Sequence, residues 1–112
     1  MKRDIKAYLH DVHKASLHIL TFTKELSIED YSNSELVKSA VERQFVIIGE
    51  ALVQMRSNYP DLLNHISDAE KIIGFRNVLV HGYDMIDDAT VWSAIKTNLP
   101  TLIEEIKALK NT

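Results

Sequence analysis

Apolar residues at Ile5, Leu9, Val12, Ile19, Leu20 and Leu26 recur close to the 3.6-residue period of one helix face. They predict a first helix over residues 2–26. The stretch SIEDYSNS, residues 27–34, breaks it, being polar and rich in side chains that hydrogen-bond their own backbone. Ser34 is then a fitting N-cap, and SELVKSAVERQFVIIGEALVQMRSN predicts a second long helix to Asn58. Its apolar residues, among them Val37, Val41, Phe45, Ile47, Ile48, Leu52 and Met55, fall on more than one face. Such a helix is central in a bundle, or is covered by its own fold on one side and by a partner on another. Gly49 in its interior costs about 1 kcal/mol against alanine, and close helix approach is a reason to keep it.

YPDLLNH, residues 59–65, reads as a turn holding one helical turn. Ser67 and Glu70 form the S-x-x-E pattern of a capping box, which predicts a third helix through EKIIGFRNVLV with Gly82 as its stop. Asp87 or Asp88 caps a fourth, ATVWSAIKTNLPTLIEEIKALK, in which Pro100 should kink or interrupt the helix. Long helices, short connections and the lack of any useful strand alternation give an all-α antiparallel bundle of four to five helices. It forms one domain over residues 1–112.

Composition narrows the class. Of 112 residues, 46% are hydrophobic and 26% charged, which is globular rather than disordered. Without cysteine, neither a disulfide framework nor a thiolate metal site can form. The N-terminal MKRDIKAYLHDVHK has charge but no apolar leader core, and no apolar run approaches a membrane span, so a cytoplasmic chain is expected. A net charge of −3 argues against coating nucleic acid by bulk electrostatics. It leaves room for an RNA enzyme with a local basic cleft.

The segment FRNVLVHGYD, residues 75–84, carries the candidate chemistry: Arg76, Asn77, His81 and Tyr83 within eight positions. At about 100° per residue, Asn77 and His81 stand one turn apart on one face. Arg76 is about 140° from His81 on an ideal helix, a gap its long side chain partly spans. These groups suit phosphoryl chemistry on RNA. An imidazole, titrating near neutrality, can take the proton from a ribose 2′-hydroxyl. A guanidinium matches phosphate oxygens as charge develops on them, and asparagine can orient the imidazole or hold an oxygen. No metal is required, and a 2′,3′-cyclic phosphate is the expected product. The competing view is that Arg76 and His81 cap carbonyls or pair with Asp84, Asp87 or Asp88.

Other residues carry blander expectations. His10, His13 and His18 on the first helix lack a completing carboxylate, and a solvated face explains them better than a metal site. Arg43 and Glu50, seven positions apart, suggest an ion pair within the chain or across a dimer. Phe75 and Trp92 read as core. The acidic cluster Asp84, Asp87 and Asp88 reads as a loop plus an N-cap.

RNVLVHGY fits R-x4-H-x-Y, and its surroundings resemble the HEPN family, in particular the HepT toxins of MntA–HepT toxin–antitoxin pairs. The likeness extends to AVERQFVIIGEAL (residues 40–52), IIGFRNVLVHGYDMID (72–87) and VW…LP (Val91, Trp92, Leu99, Pro100). It departs at HISDAEKII, where the family would carry a tryptophan. The resemblance implies a HEPN-like helical bundle that pairs as a homodimer, bringing two R-x4-H motifs around one cleft. It implies a metal-independent endoribonuclease without cofactor, the toxin of a type VII toxin–antitoxin system, with tRNA as the substrate to which the family points. Carried over by position, Arg76 and His81 are the catalytic pair and Asn77 is ancillary. Tyr83 is the residue to which an MntA-like nucleotidyltransferase would transfer AMP, silencing the toxin. The alternative is a non-catalytic dimeric helical module that engages the nucleotidyltransferase.

Overall fold

The computed structural model describes residues 3–112, apart from the side chain of Tyr83. Asp4 starts α1 (Ile5–Thr23), its carboxylate accepting from the Lys6 N–H at 2.8 Å. The α1 stripe of Tyr8, Leu9, Val12, Ala15 and Ile19 is buried. Two buried hydroxyls on it, Ser16 and Thr23, donate to the carbonyls of Val12 and Ile19 one turn back. The helix stops at Thr23, short of residue 26, because Glu25 takes a φ of 67° and turns the chain.

The polar stretch that follows is not simply a break. It folds into α2 (Ile28–Ser32) behind a reciprocal capping box between Ser27 and Asp30, and Tyr31 anchors it in the core. The residues that end one helix are the caps of the next. Ser34 then caps α3 (Glu35–Asn58) as expected, accepting from the Val37 N–H. A single turn, α4 (Pro60–Leu63), leads into α5 (Ala69–His81). Here the Ser67–Glu70 capping box fails. Ser67 donates through its N–H and hydroxyl to the Glu105 carboxylate, and Glu70 pairs with Arg56 at 2.7 Å, so both are engaged by other elements.

Asp87 caps α6 (Asp88–Ser93), which runs through a π turn (Ala94–Asn98) into α7 (Leu99–Lys110). Pro100 has no N–H and its ring crowds the preceding turn. The chain answers by widening that turn, the Leu99 N–H reaching back five residues to the Ala94 carbonyl. Pro100 thus interrupts the α-type ladder while the helical path continues.

α3 is the central rod. α1 covers one side of it and α5 another, while α7 packs on α1. This is why its apolar residues occupy more than one face. Asn58 and Tyr59 at the end of α3 bond Tyr8 and Arg3 at the start of α1, so those two helices are antiparallel. Arg56–Glu70 and Glu50–Arg76 set α3 against α5 in the same sense. The described residues contain no strand, and no helix among them is long and apolar enough to cross a membrane. The fold is all-α, four long rods with two short helices between them.

Candidate active site

Arg76 leaves α5 on the side facing α3, and Gly49 makes that possible. A Cβ at Gly49 would lie 2.5 Å from Arg76 Cγ and closer still to its Cβ, distances no packed helix pair sustains. With the glycine there, the guanidinium passes across α3. Its Nη1 donates to Asn77 Oδ1 at 2.8 Å, and its Nη2 stands 3.8 Å from Glu50 Oε1. The Nε–H is buried without an acceptor among the described residues. Arg76 is therefore half-buried and positioned, while Asn77 and His81 are exposed on the outer face of α5.

His81 occupies the last turn of α5, exposed, and its imidazole has no hydrogen-bond partner among the described residues. Gly82 stops the helix as expected, its N–H bonding the Val78 carbonyl at 2.8 Å. A 3₁₀ turn, Tyr83–Met85, follows at once, which puts the Tyr83 backbone two residues past His81; its side chain lies outside the described set. Around this polar end stand exposed apolar groups, Val78, Val80 and Met85, the last 77% exposed.

The competing explanation by nearby aspartates does not hold among the described residues. Asp87 accepts from the Ala89 N–H and the Thr90 hydroxyl, and Asp88 faces Lys38 at 3.4 Å. Neither bonds Arg76 or His81. Glu50 pairs with Arg76 rather than Arg43, because the facing helix supplies a guanidinium nearer than one two turns away on the same rod. Phe75 and Trp92 are both partly buried against aromatic neighbours, Phe45 at 5.1 Å and Tyr31 at 5.6 Å. On α1, His13 Nδ1 meets Lys110 Nζ at 2.9 Å, and no metal-competent group of three ligands gathers among the described residues.

The family model described as ribonuclease HepT-like matches residues 12–109, a span that includes α3, α5 and the whole R-x4-H-x-Y segment. The chain belongs to the HepT-like ribonuclease family. Among its relatives, a probable ribonuclease HepT of Thermococcus cleftensis is 32% identical, the match covering 98% of this chain and 99% of that one. Two chains of Methanocaldococcus jannaschii, each provisionally named an RNase, are 34% and 30% identical. Those matches cover 96% and 95% of this chain, and 92% and 96% of the relatives. No solved structure matches significantly.

Of the residues expected in a HepT-like site, Arg76 and Asn77 are directly bonded, and His81 stands one turn beyond Asn77 on the same face. Sequence reasoning missed the part played by α3. Gly49 gives Arg76 its path and Glu50 faces its guanidinium. Gly49 was legible as a point of close approach, but which side chain passes over it depends on the register of α3 against α5.

Proposed function

We propose that this HepT-like ribonuclease is the toxin of a type VII toxin–antitoxin pair and cuts RNA without a metal through Arg76 and His81. The observation that carries this reading is a guanidinium held by Asn77 and Glu50, with an exposed imidazole one turn beyond Asn77 on the same helix. His81 takes the proton of the ribose 2′-hydroxyl, and the 2′-oxygen bonds to the adjoining phosphorus. Arg76 neutralises the charge growing on the non-bridging oxygens. The bond to the 5′-oxygen breaks, and that oxygen takes a proton, leaving a 2′,3′-cyclic phosphate and a 5′-hydroxyl. A second His81, from a paired copy, supplies that proton. The exposed Val78 and Val80, on either side of His81, and Met85 beyond it are apolar surface that such pairing would cover. The unmet Nε–H of Arg76 fits a side chain that completes its bonding with an incoming oxyanion.

Tyr83 is the control point. Its hydroxyl attacks the α-phosphorus of ATP on a partner MntA-like nucleotidyltransferase, pyrophosphate leaves, and a tyrosyl-AMP phosphodiester results. That places about one negative charge beside groups that must receive an RNA phosphate. The substrate, with tRNA the favoured class, is then repelled and blocked.

The test is cleavage of RNA in EDTA with analysis of the new ends. Cyclic phosphate ends are expected, with no cutting where the 2′-hydroxyl at the cut site is replaced by hydrogen. Cleavage of that deoxy-substituted strand at the same bond would rule the mechanism out.

A further inference from the structure

Beside Arg76 lies a polar cleft of about 360 Å³ that the reaction above does not use. Ile47, Glu50 and Gln54, at helical spacing along α3, form its floor. Arg3, Tyr8 and Asp11 from the start of α1 wall one side, and Arg76 closes the other. Its charges are balanced. Arg3 is bound by Asp11 at 2.8 Å, and Arg76 faces Glu50 at 3.8 Å. Two guanidinium groups against two carboxylates make a poor trap for a free anion, because the carboxylates repel it.

What such a lining does suit is a flat ligand offering donors and acceptors together. The volume lies at the small end of the range for ligand pockets, enough for one base. The Arg3 guanidinium already lies 5.0 Å above the Tyr8 ring, so its outer plane is a stacking surface. Arg76 connects the cleft to the helix end, one terminal nitrogen toward Glu50 and the other toward Asn77, a turn before His81. A phosphate held by Arg76 has its neighbouring nucleoside at the cleft mouth.

We propose that this cleft is a base-reading subsite for a nucleotide adjoining the scissile phosphate, with Glu50 and Gln54 contacting the edge of the base. The proposal rests on the ribonuclease reading given above. An ionised glutamate only accepts hydrogen bonds, and among RNA bases guanine alone offers two adjacent N–H donors to one carboxylate. The preferred base is therefore guanine. Its binding draws Glu50 away from Arg76 and leaves that guanidinium nitrogen for the phosphate.

Two readouts separate this proposal from the reaction it serves. First, a random-sequence RNA pool is cut in EDTA and the ends sequenced. Guanine should be enriched about tenfold at one side of the cut, the discrimination typical of one bidentate contact. Gln54→Leu, a change at an exposed position, should reduce that enrichment while cutting continues. Second, binding of guanosine 3′-monophosphate and uridine 3′-monophosphate is measured by calorimetry, independent of cutting. The guanosine nucleotide should bind about tenfold more tightly, and Glu50→Gln should erase the difference. Cleavage without flanking bias, a bias unchanged in Gln54→Leu, or equal binding of the two nucleotides would overturn the subsite. Guanosine-selective binding in a protein that cuts no RNA would uphold the cleft and remove the ribonuclease reading instead.

Discussion

Arg76 has three kinds of neighbour: Asn77 on its own helix, Glu50 on the facing helix, and the bare backbone of Gly49 beneath it. The first is one residue away in sequence and could be foreseen; the other two are more than twenty residues away and could not. Nearer the start of α3, Glu42 shows what burial does to a carboxyl. Burial raises its pKa from 4.5; Lys38 opposes that shift, while Asp88 and Glu35 reinforce it. A carboxyl raised on folding binds its proton more tightly in the folded state. Its penalty on stability is absent below about pH 4.5 and complete once pH passes the folded value. Glu42→Gln should therefore raise the thermal midpoint at pH 7 and leave it nearly unchanged at pH 4, as followed by circular dichroism melts. An equal rise at both values would mean that titration is not the cause.

Between elements, the α3–α5 contact sets the position of Arg76. Gly49→Ala gains about 1 kcal/mol of helix propensity but forces α5 outward, an overpacking cost of roughly 1–3 kcal/mol. The expected net is a loss of up to about 2 kcal/mol in urea unfolding, together with slower RNA cleavage. Gly74, on α5, has nothing within 4 Å of an added Cβ. Gly74→Ala should stabilise by up to about 1 kcal/mol in the same assay. Stabilisation by both changes would show that the helices do not meet closely at Gly49. The contrast also explains which parts of the fold were legible. Ser34, Asp87 and Gly82 act within a turn of themselves, so a local pattern reveals them. Ser67 and Glu70 have the same local pattern, yet Glu105 and Arg56 engage them from afar. α2 was hidden because its length is a single turn and its stability comes from one buried residue, Tyr31. The π turn answers Pro100 by a route that no periodicity displays.

Over the whole molecule, the bundle class and the order of its rods followed from periodicity and sparse punctuation, because each rod is long enough for its pattern to dominate. The several apolar faces of α3 find their partners inside one chain, in α1 and α5. The proposal that two copies pair therefore stands on the apolar collar around His81, not on that helix. The proposed pairing and the proposed cleavage both fall at the end of α5, where the His81 imidazole has no hydrogen-bond partner among the described residues. The most direct measurement is the rate of RNA cleavage in EDTA by wild type and by His81→Ala, with helicity checked by circular dichroism. The expected result is a loss of at least about a hundredfold with the bundle intact, the scale of general acid–base catalysis. A folded His81→Ala protein that cuts RNA at the wild-type rate would contradict the account.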